Sequence, residues 1–339
     1  MPINQEKNAR ALERLVASLH GGRSLALTGA GVSTWAGYGT WGAVINDLAS
    51  AVQYLDSGVD TAGIIQNNPN PLHCAKRLGE YLGPRFRDFI HAEFGPNGKA
   101  PNGILFTLCS LPFRHFLTLN IDCSLEQIHR TLRRPCVSVT TSNPLALTAF
   151  MRAHDSDGVA RHVLHFHGSY TDSMEHIALT NDGYARLYQD GSLFLRFLWW
   201  LVTSQSLVFL GFGFTDSDFL NAIRRAAFDL PQEPVHFAIQ GIANTVNDEA
   251  IRNSWNDSYR IEPIFYELHD GAENRHARFG ELIRGIAAQL AIPEVPKVDL
   301  AAEEPIPLIS TVAEDLQRAD ELASELIQKI DPRGDDVPR

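Results

Sequence analysis

Apolar residues recur along the chain with two different periods, and the switches between them divide it into alternating helices and strands. Over residues 6–19 they fall at Ala9, Leu12, Leu15, Val16 and Leu19, the spacing of one helix face, and Gly21-Gly22 ends the run. Leu25, Ala26 and Leu27 form a short continuous apolar stretch, the pattern of a strand buried on both faces. Residues 41–94 return to helical spacing with breaks at 67–71 and at Gly83-Pro84, and 101–111 add one short helix. Together these predict a helical insertion, about 41–111, packed over the loop after the first strand. Further strands are expected at 114–119, 136–140, 161–166, 206–210, 235–239 and 261–266. Further helices are expected at 180–203, with Gly191 as a break, and at 218–228, 248–255 and 277–290. The alternation implies an α/β fold over residues 1–290, a Rossmann-like, mostly parallel sheet with helices on both faces.

Beyond 290 the pattern changes. Residues 291–309 are rich in proline and poor in large apolar residues, so they read as an extended linker. Residues 310–339 then carry Val312, Leu316, Ala319, Leu322, Leu326 and Ile330 as one stripe on a charged background, an appended C-terminal amphipathic helix. Such a helix either folds back on its own domain or docks on another subunit or partner. The most apolar helical stretch, 193–202, is about half the length of a membrane span and contains Arg196, so it reads as a core or interface helix.

Four polar punctuations follow the predicted strands. After the first, Gly29-Ala30-Gly31-Val32-Ser33 makes a turn whose backbone amides suit a pyrophosphate, with Trp35, Tyr38 and Trp41 close behind. The strand at 114–119 delivers Asn120-Ile121-Asp122 to its carboxyl end, where open α/β sheets hold ligands. The strand at 161–166 ends in His167-Gly168-Ser169, and that at 206–210 runs into Gly211-Phe212-Gly213-Phe214-Thr215-Asp216. Each has a plainer reading. The glycines could merely close a strand–helix turn, Asn120 or Asp216 could cap a helix, and His167 could be a satisfied core histidine. His165 and His167 could share a strand face and ligate a metal, although no third ligand stands at clear spacing.

The 339 residues are 44% hydrophobic and 20% charged, enough for a large core, and the net charge of −11 argues against a general nucleic-acid surface. Cys74, Cys109, Cys123 and Cys136 form no Cys-x-x-Cys pair, which indicates neither a disulfide framework nor a zinc ribbon and fits a reducing cytoplasm. The N-terminus shows no basic-then-apolar signal, and a cytoplasmic location without membrane attachment is expected.

The four punctuations, in this order and approximate spacing, resemble the sirtuin family, which binds NAD and breaks its nicotinamide–ribose bond. The stretches Leu179-Thr-Asn-Asp-Gly-Tyr184 and Leu210-Gly-Phe-Gly-Phe-Thr-Asp216 are similar to those of the sirtuin-like proteins of bacterial antiphage defence, which deplete NAD. The resemblance covers about residues 6–290. Two departures stand out: between Asp122 and His167 only Cys123 and Cys136 occur, so no zinc is expected, and the Asp-Phe-Arg segment of protein-deacylating sirtuins is replaced by Gly37-Tyr38-Gly39-Thr40-Trp41-Gly42.

The resemblance implies NAD as substrate and roles for particular residues. Gly29, Ala30, Gly31 and Ser33 would hold the pyrophosphate, Asp122 the nicotinamide carboxamide, and Trp41 would wall the nicotinamide side. Asn120 would orient a ribose hydroxyl or the attacking water, and His167, neutral near pH 7, would take up its proton. Gly211, Gly213 and Asp216 would receive the adenosine half. The expected activity is NAD hydrolysis by an NAD-depleting effector in antiphage defence. The alternatives are an NAD or ADP-ribose sensor without turnover and, less favoured, an NAD-dependent protein deacylase. An enzyme that destroys NAD needs an off state, so a homo-oligomer controlled by assembly, or by a separately encoded partner such as an ATPase or nucleotide-processing protein, is expected.

Overall fold

Seven strands, all parallel, form one sheet in the order β3-β4-β2-β1-β5-β6-β7. The computed structural model describes residues 3–96, 99–153, 160–230, 235–243, 246–269 and 275–293. The expected C-terminal helix and all but the first three residues of the expected linker lie outside them. Helix α1 (Gln5–His20) is capped by Asn4, whose side chain accepts from the Lys7 amide, and it buries Ala11, Leu15 and Leu19. It leads to β1 (Leu25–Thr28), whose four residues are all buried. One turn of helix, α2 (Ala30–Ser33), starts directly behind Gly29, and a 3-10 turn follows it.

Five helices then precede β2: α3 (Trp41–Leu55), α4 (Thr61–Asn67), α5 (Pro71–Leu82), α6 (Arg85–Phe94) and α7 (Gly103–Ser110). This is the predicted insertion, with one break more than expected. Asp56 interrupts the helix, and the Asp60 side chain accepts from the Gly63 amide to start α4. The insertion has its own core of Ile45, Leu48, Val52, Leu78 and Ile90. That core continues into Ile121, Cys123, Ile177 and Leu179, so it rests on the loops at the carboxyl end of the sheet.

The rest alternates as expected: β2 (Phe116–Thr118), α8 (Ser124–Thr131), β3 (Cys136–Thr140), α9 (Pro144–Ala153), β4 (Arg161–His165), α10 (Asn181–Leu187) and α11 (Leu193–Ser204). Then come β5 (Leu207–Leu210), α12 (Ser217–Ala227), β6 (His236–Ile242), α13 (Asp248–Tyr259), β7 (Ile261–Glu267) and α14 (Ala277–Gln289). Helix α9 is absent from the sequence reading. The expected helix over 180–203 is two helices, with Gly191 between them at φ 77°. Leu25, Leu27, Leu117, Leu164 and Phe209 share one core with Phe194, Phe197, Leu201, Phe219 and Ile223, so alternate strand residues meet α11 and α12. Helix α11 is thus a core helix, although Trp199 on it is 49% exposed. No helix among the described residues is long and apolar enough to cross a membrane.

From β1 the chain passes to the neighbouring β2, out to the edge strand β3, back to β4 between them, and then to β5 on the other side of β1. Adjacent crossovers that leave a strand in opposite directions open a crevice at its carboxyl end, the place where such sheets hold ligands.

Candidate active site

That crevice is a cleft of about 860 Å³, counted to its open mouth. It is lined from the ends of β1 (Gly29, Ala30, Ser33), β2 (Asn120, Asp122), β4 (His167) and β5 (Gly213, Asp216), and it is closed by Tyr38 before the insertion and by Trp41 and Phe94 within it. Nine of the eleven residues singled out in the sequence therefore meet in one cavity. Gly31 and Gly211 are not among its lining residues.

Their place is beneath the lining. The Gly31 amide donates to the Gly211 carbonyl at 3.0 Å, and the Gly29 amide to the Leu210 carbonyl at 3.0 Å. A Cβ on Gly29 or Gly31 would stand 2.7 or 2.9 Å from the Gly211 oxygen, and one on Gly211 would stand 2.6 Å from the Val32 nitrogen. Gly211 also sits at φ 58°. The glycines are thus required for the β1 and β5 loops to touch each other. The space left by the missing Cβ atoms of Gly29 and Gly31 is filled by protein, from the β5 loop. The amides of Gly29, Gly31 and Val32 are spent on the protein, the last on the Gly29 carbonyl at 3.0 Å.

Ser33 ties the β1 and β2 loops together. Its Oγ donates to Asp122 Oδ2 at 2.6 Å and accepts from Asn120 Nδ2 at 2.6 Å, while Nδ2 also donates to the Gly29 carbonyl at 2.9 Å. Asp122 Oδ1 accepts from the Ser124 amide at 2.9 Å, at the start of α8, so this carboxylate both caps a helix and faces the cleft. Burial pushes its pKa above the usual carboxylate range, opposed by the hydrogen bonds from Ser124 and Ser33.

His165 and His167 part company because β4 ends at His165 and Gly168 turns the chain at φ 81°. His165 reaches toward α8. Its Nδ1 donates to the Asn120 carbonyl at 2.8 Å and its Nε2 to Glu126 Oε1 at 2.7 Å, and that oxygen also accepts from Ser138 Oγ at 2.8 Å. Burial alone would lower the His165 pKa, but Glu126 raises it to about 9. His167 instead lies between two tyrosines, with Nε2 3.0 Å from Tyr188 Oη and Nδ1 3.4 Å from Tyr184 Oη. Burial lowers its pKa to about 3, with only the Leu119 backbone opposing, so the ring is neutral near pH 7.

Asp216 caps α12 by accepting from the Phe219 amide at 3.0 Å, and its second oxygen accepts from Tyr184 Oη at 3.1 Å. It therefore adjoins the His167 cluster. Beside it, Phe214 holds a left-handed backbone at φ 50° and is stacked on Trp255 with ring centroids 4.0 Å apart. A bulky residue in that conformation is strained, and the stack holds it at the cleft.

Glu126, Tyr184 and Tyr188 were missed as members of this cluster. The signals were present: Tyr184 and Tyr188 are four apart, one helix face, and His165 interrupts an otherwise apolar strand. Among the described residues no group of three or more His, Cys, Asp or Glu could hold a metal ion. Cys123 packs against Tyr38, 3.5 Å from its hydroxyl, and burial pushes its thiol up to about 12.

No curated protein matches the chain. A family model described as a SIR2-like domain matches residues 114–264, from the start of β2 into β7. The match takes in Asn120, Asp122, His167, Gly213 and Asp216, leaves out the β1 loop and Trp41, and supports a sirtuin-like, NAD-related family for this chain.

Proposed function

We propose that this protein hydrolyses NAD to nicotinamide and ADP-ribose. The observation that carries the reading is the convergence of Asn120, Asp122 and His167 in one cleft with the Gly29–Ser33 turn. Cleavage breaks the bond between the ribose C1′ and the nicotinamide nitrogen, which leaves with the bonding pair, while a water oxygen bonds to C1′ and gives up one proton. The protein's tasks are to hold the dinucleotide, shield a cation-like ribose and accept that proton. Asp122 is the acceptor for the carboxamide, with Ser33 keeping it oriented. Asn120 is held by Gly29 and Ser33 and offers its side-chain oxygen to a ribose hydroxyl or the water, and His167 takes the proton. Trp41 shields the nicotinamide end. Gly29 and Ala30 border the phosphates, and the Gly213 loop borders the adenosine half.

The wider role follows from the same reading: a cytoplasmic NAD-depleting effector of antiphage defence, kept silent by its assembly as a homo-oligomer or by a separate partner protein. The test is direct. NAD incubated with the purified chain, alone and under candidate activators, is read for nicotinamide and ADP-ribose beside Asn120→Ala and His167→Ala. Loss of the general base should lower turnover about 10²–10⁴-fold. Equal turnover by His167→Ala would remove its assigned role. One observation favours a second reading, a sensor that binds NAD or ADP-ribose without turnover: the Asn120 amide is already engaged by Gly29 and Ser33. Calorimetric binding of NAD with no product under any condition would select it.

A further inference from the structure

The proton acceptor of the proposed reaction presents a difficulty. A ring whose pKa burial has lowered to about 3 is a weak base, and a group works best when its pKa lies near the operating pH. The Leu119 backbone favours the charged ring but leaves the pKa near 3, so something further must stabilise the imidazolium as it forms. Among the described residues no carboxylate is hydrogen-bonded to His167 directly, but one stands a single hydroxyl away. Tyr184 Oη donates to Asp216 Oδ2 at 3.1 Å, and a carboxylate oxygen can only accept. The tyrosine proton is therefore committed to Asp216, and the oxygen turns its lone pairs toward His167 Nδ1, 3.4 Å away. An acceptor facing Nδ1 favours the tautomer protonated there and leaves Nε2 as the basic nitrogen, beside Tyr188 Oη at 3.0 Å.

We propose that Tyr184 and Asp216 are positioning residues that fix the His167 tautomer and share the positive charge His167 acquires. In the step, the O–H bond of the attacking water breaks and its proton passes to Tyr188 Oη, whose own proton forms the N–H bond at Nε2, 3.0 Å away. Tyr188 then turns from donor to acceptor. Nδ1–H tightens onto Tyr184, whose own proton is held by Asp216, so the new charge is spread over a chain that ends in a carboxylate. The ring arrangement is built for this. Tyr184 and Tyr188 are stacked with centroids 5.5 Å apart, and His167 packs on Tyr184 at 4.8 Å. The titratable groups around the histidine among the described residues are these two tyrosines from α10 and its C-cap, Asp216 at the start of α12, and Asp218 two residues further on, which acts on both tyrosines. Burial and Asp216 together push Tyr184 well above the ordinary tyrosine range, so it stays protonated and keeps donating.

The inference rests on the proposed NAD cleavage, and the experiment separates the two. Tyr184→Phe keeps the stacked ring and removes only the hydroxyl; Asp216→Asn keeps an acceptor for the Phe219 amide. In the full chain each should lower kcat by about 10–100-fold, the range of one hydrogen bond to a charged group, with KM for NAD changed less than about twofold. Independently of activity, ¹⁵N spectra of histidine-labelled protein at pH 7 should find the parent His167 protonated at Nδ1, and Tyr184→Phe shifted toward the Nε2-protonated form. An Nε2-protonated parent ring, or a loss confined to KM, would overturn the inference. A parent that never cleaves NAD removes the proposed function, and the tautomer measurement then decides this inference alone.

Discussion

Replacing Glu126 by Gln should destabilise the protein in a way that depends on pH, and the size can be worked from the buried pair it breaks. His165 is 1% exposed, and both its ring nitrogens face acceptors, Glu126 and the Asn120 carbonyl. Its folded pKa of about 9 lies above the unfolded value of 6.5. A raised pKa contributes stability that is fully present below 6.5 and is lost as pH rises through 9. The linkage relation gives about 3 kcal/mol at pH 6 and well under about 1 kcal/mol at pH 9. Glu126 is shifted the other way: burial would raise it, but His165 and Ser138 hold it below the ordinary carboxylate value, so its side of the same interaction fades only in acid. The amide of Glu126→Gln can accept from Ser138 and donate to Nε2 of His165, but it supplies no counter-charge, so the ring becomes neutral. Urea unfolding of parent and variant at both pH values, followed by the fluorescence of the five tryptophans, isolates this pair because other titrations cancel in the difference. The variant should be less stable by about 3 kcal/mol at pH 6 and nearly equal to the parent at pH 9. The same deficit at both values would refute a charged His165.

Three further outcomes are expected. Gly211→Ala places a side chain at φ 58° and 2.6 Å from the Val32 nitrogen, so it should cost at least about 1–3 kcal/mol and lower the thermal midpoint, whereas Gly191→Ala, with nothing within 4 Å, should pay only the strain of its φ; equal losses would show that the contact of the β1 and β5 loops is unimportant. Incubation with NAD and acetyl-lysine peptides should yield little or no deacetylated product, since the Asp-Phe-Arg segment is replaced by residues 37–42; robust deacetylation would restore the deacylase reading. Removal of residues 308–339 should change the mass measured by light scattering, or the docking of a partner, while NAD binding persists; a monomer of unchanged activity before and after truncation would dismiss control through that segment.

Much of the fold was legible because a parallel sheet buries its strands on both faces, and such strands appear as short apolar runs ending in polar punctuation. What escaped were local events. Helix α9 was overlooked although Asn143 accepts from the Ala146 amide at 3.0 Å and Pro144 opens the helix, because only Leu147 and Phe150 on it are fully buried. The expected strand over 114–119 shrank to three residues, and the one over 161–166 lost its last. That single residue mattered: with β4 ending at His165, the two histidines no longer share a face, and the metal reading loses its geometry. Partners distant in sequence were invisible for a plainer reason. Nothing in one dimension brings Glu126 to His165 or Tyr184 to Asp216, since each pairing is made by strands crossing the sheet in an order the sequence does not state.

The two histidines also make a case for His167 that is independent of any motif. Both are nearly inaccessible to solvent, at 1% and 5%, so burial pushes each toward the neutral form. Their neighbours then separate them. His165 meets only acceptors, a carbonyl and a carboxylate, so both ring nitrogens must donate and the ring carries its charge at neutral pH. A ring in that state has no lone pair to offer and cannot take up a proton, whatever enters the cleft. His167 meets tyrosine hydroxyls, which can give or receive, and its neutral ring keeps one nitrogen basic. Two residues of one type, two positions apart, are thereby pushed to opposite protonation states, the arrangement by which acid–base roles are commonly divided. His165 fixes the Asn120 backbone as a cation at neutral pH, and the proton chemistry falls to His167. Exchanging the neighbours would exchange the roles: a carbonyl and a carboxylate facing the two ring nitrogens of His167 would draw a proton onto each, charge the ring at rest and leave no lone pair to act as a base.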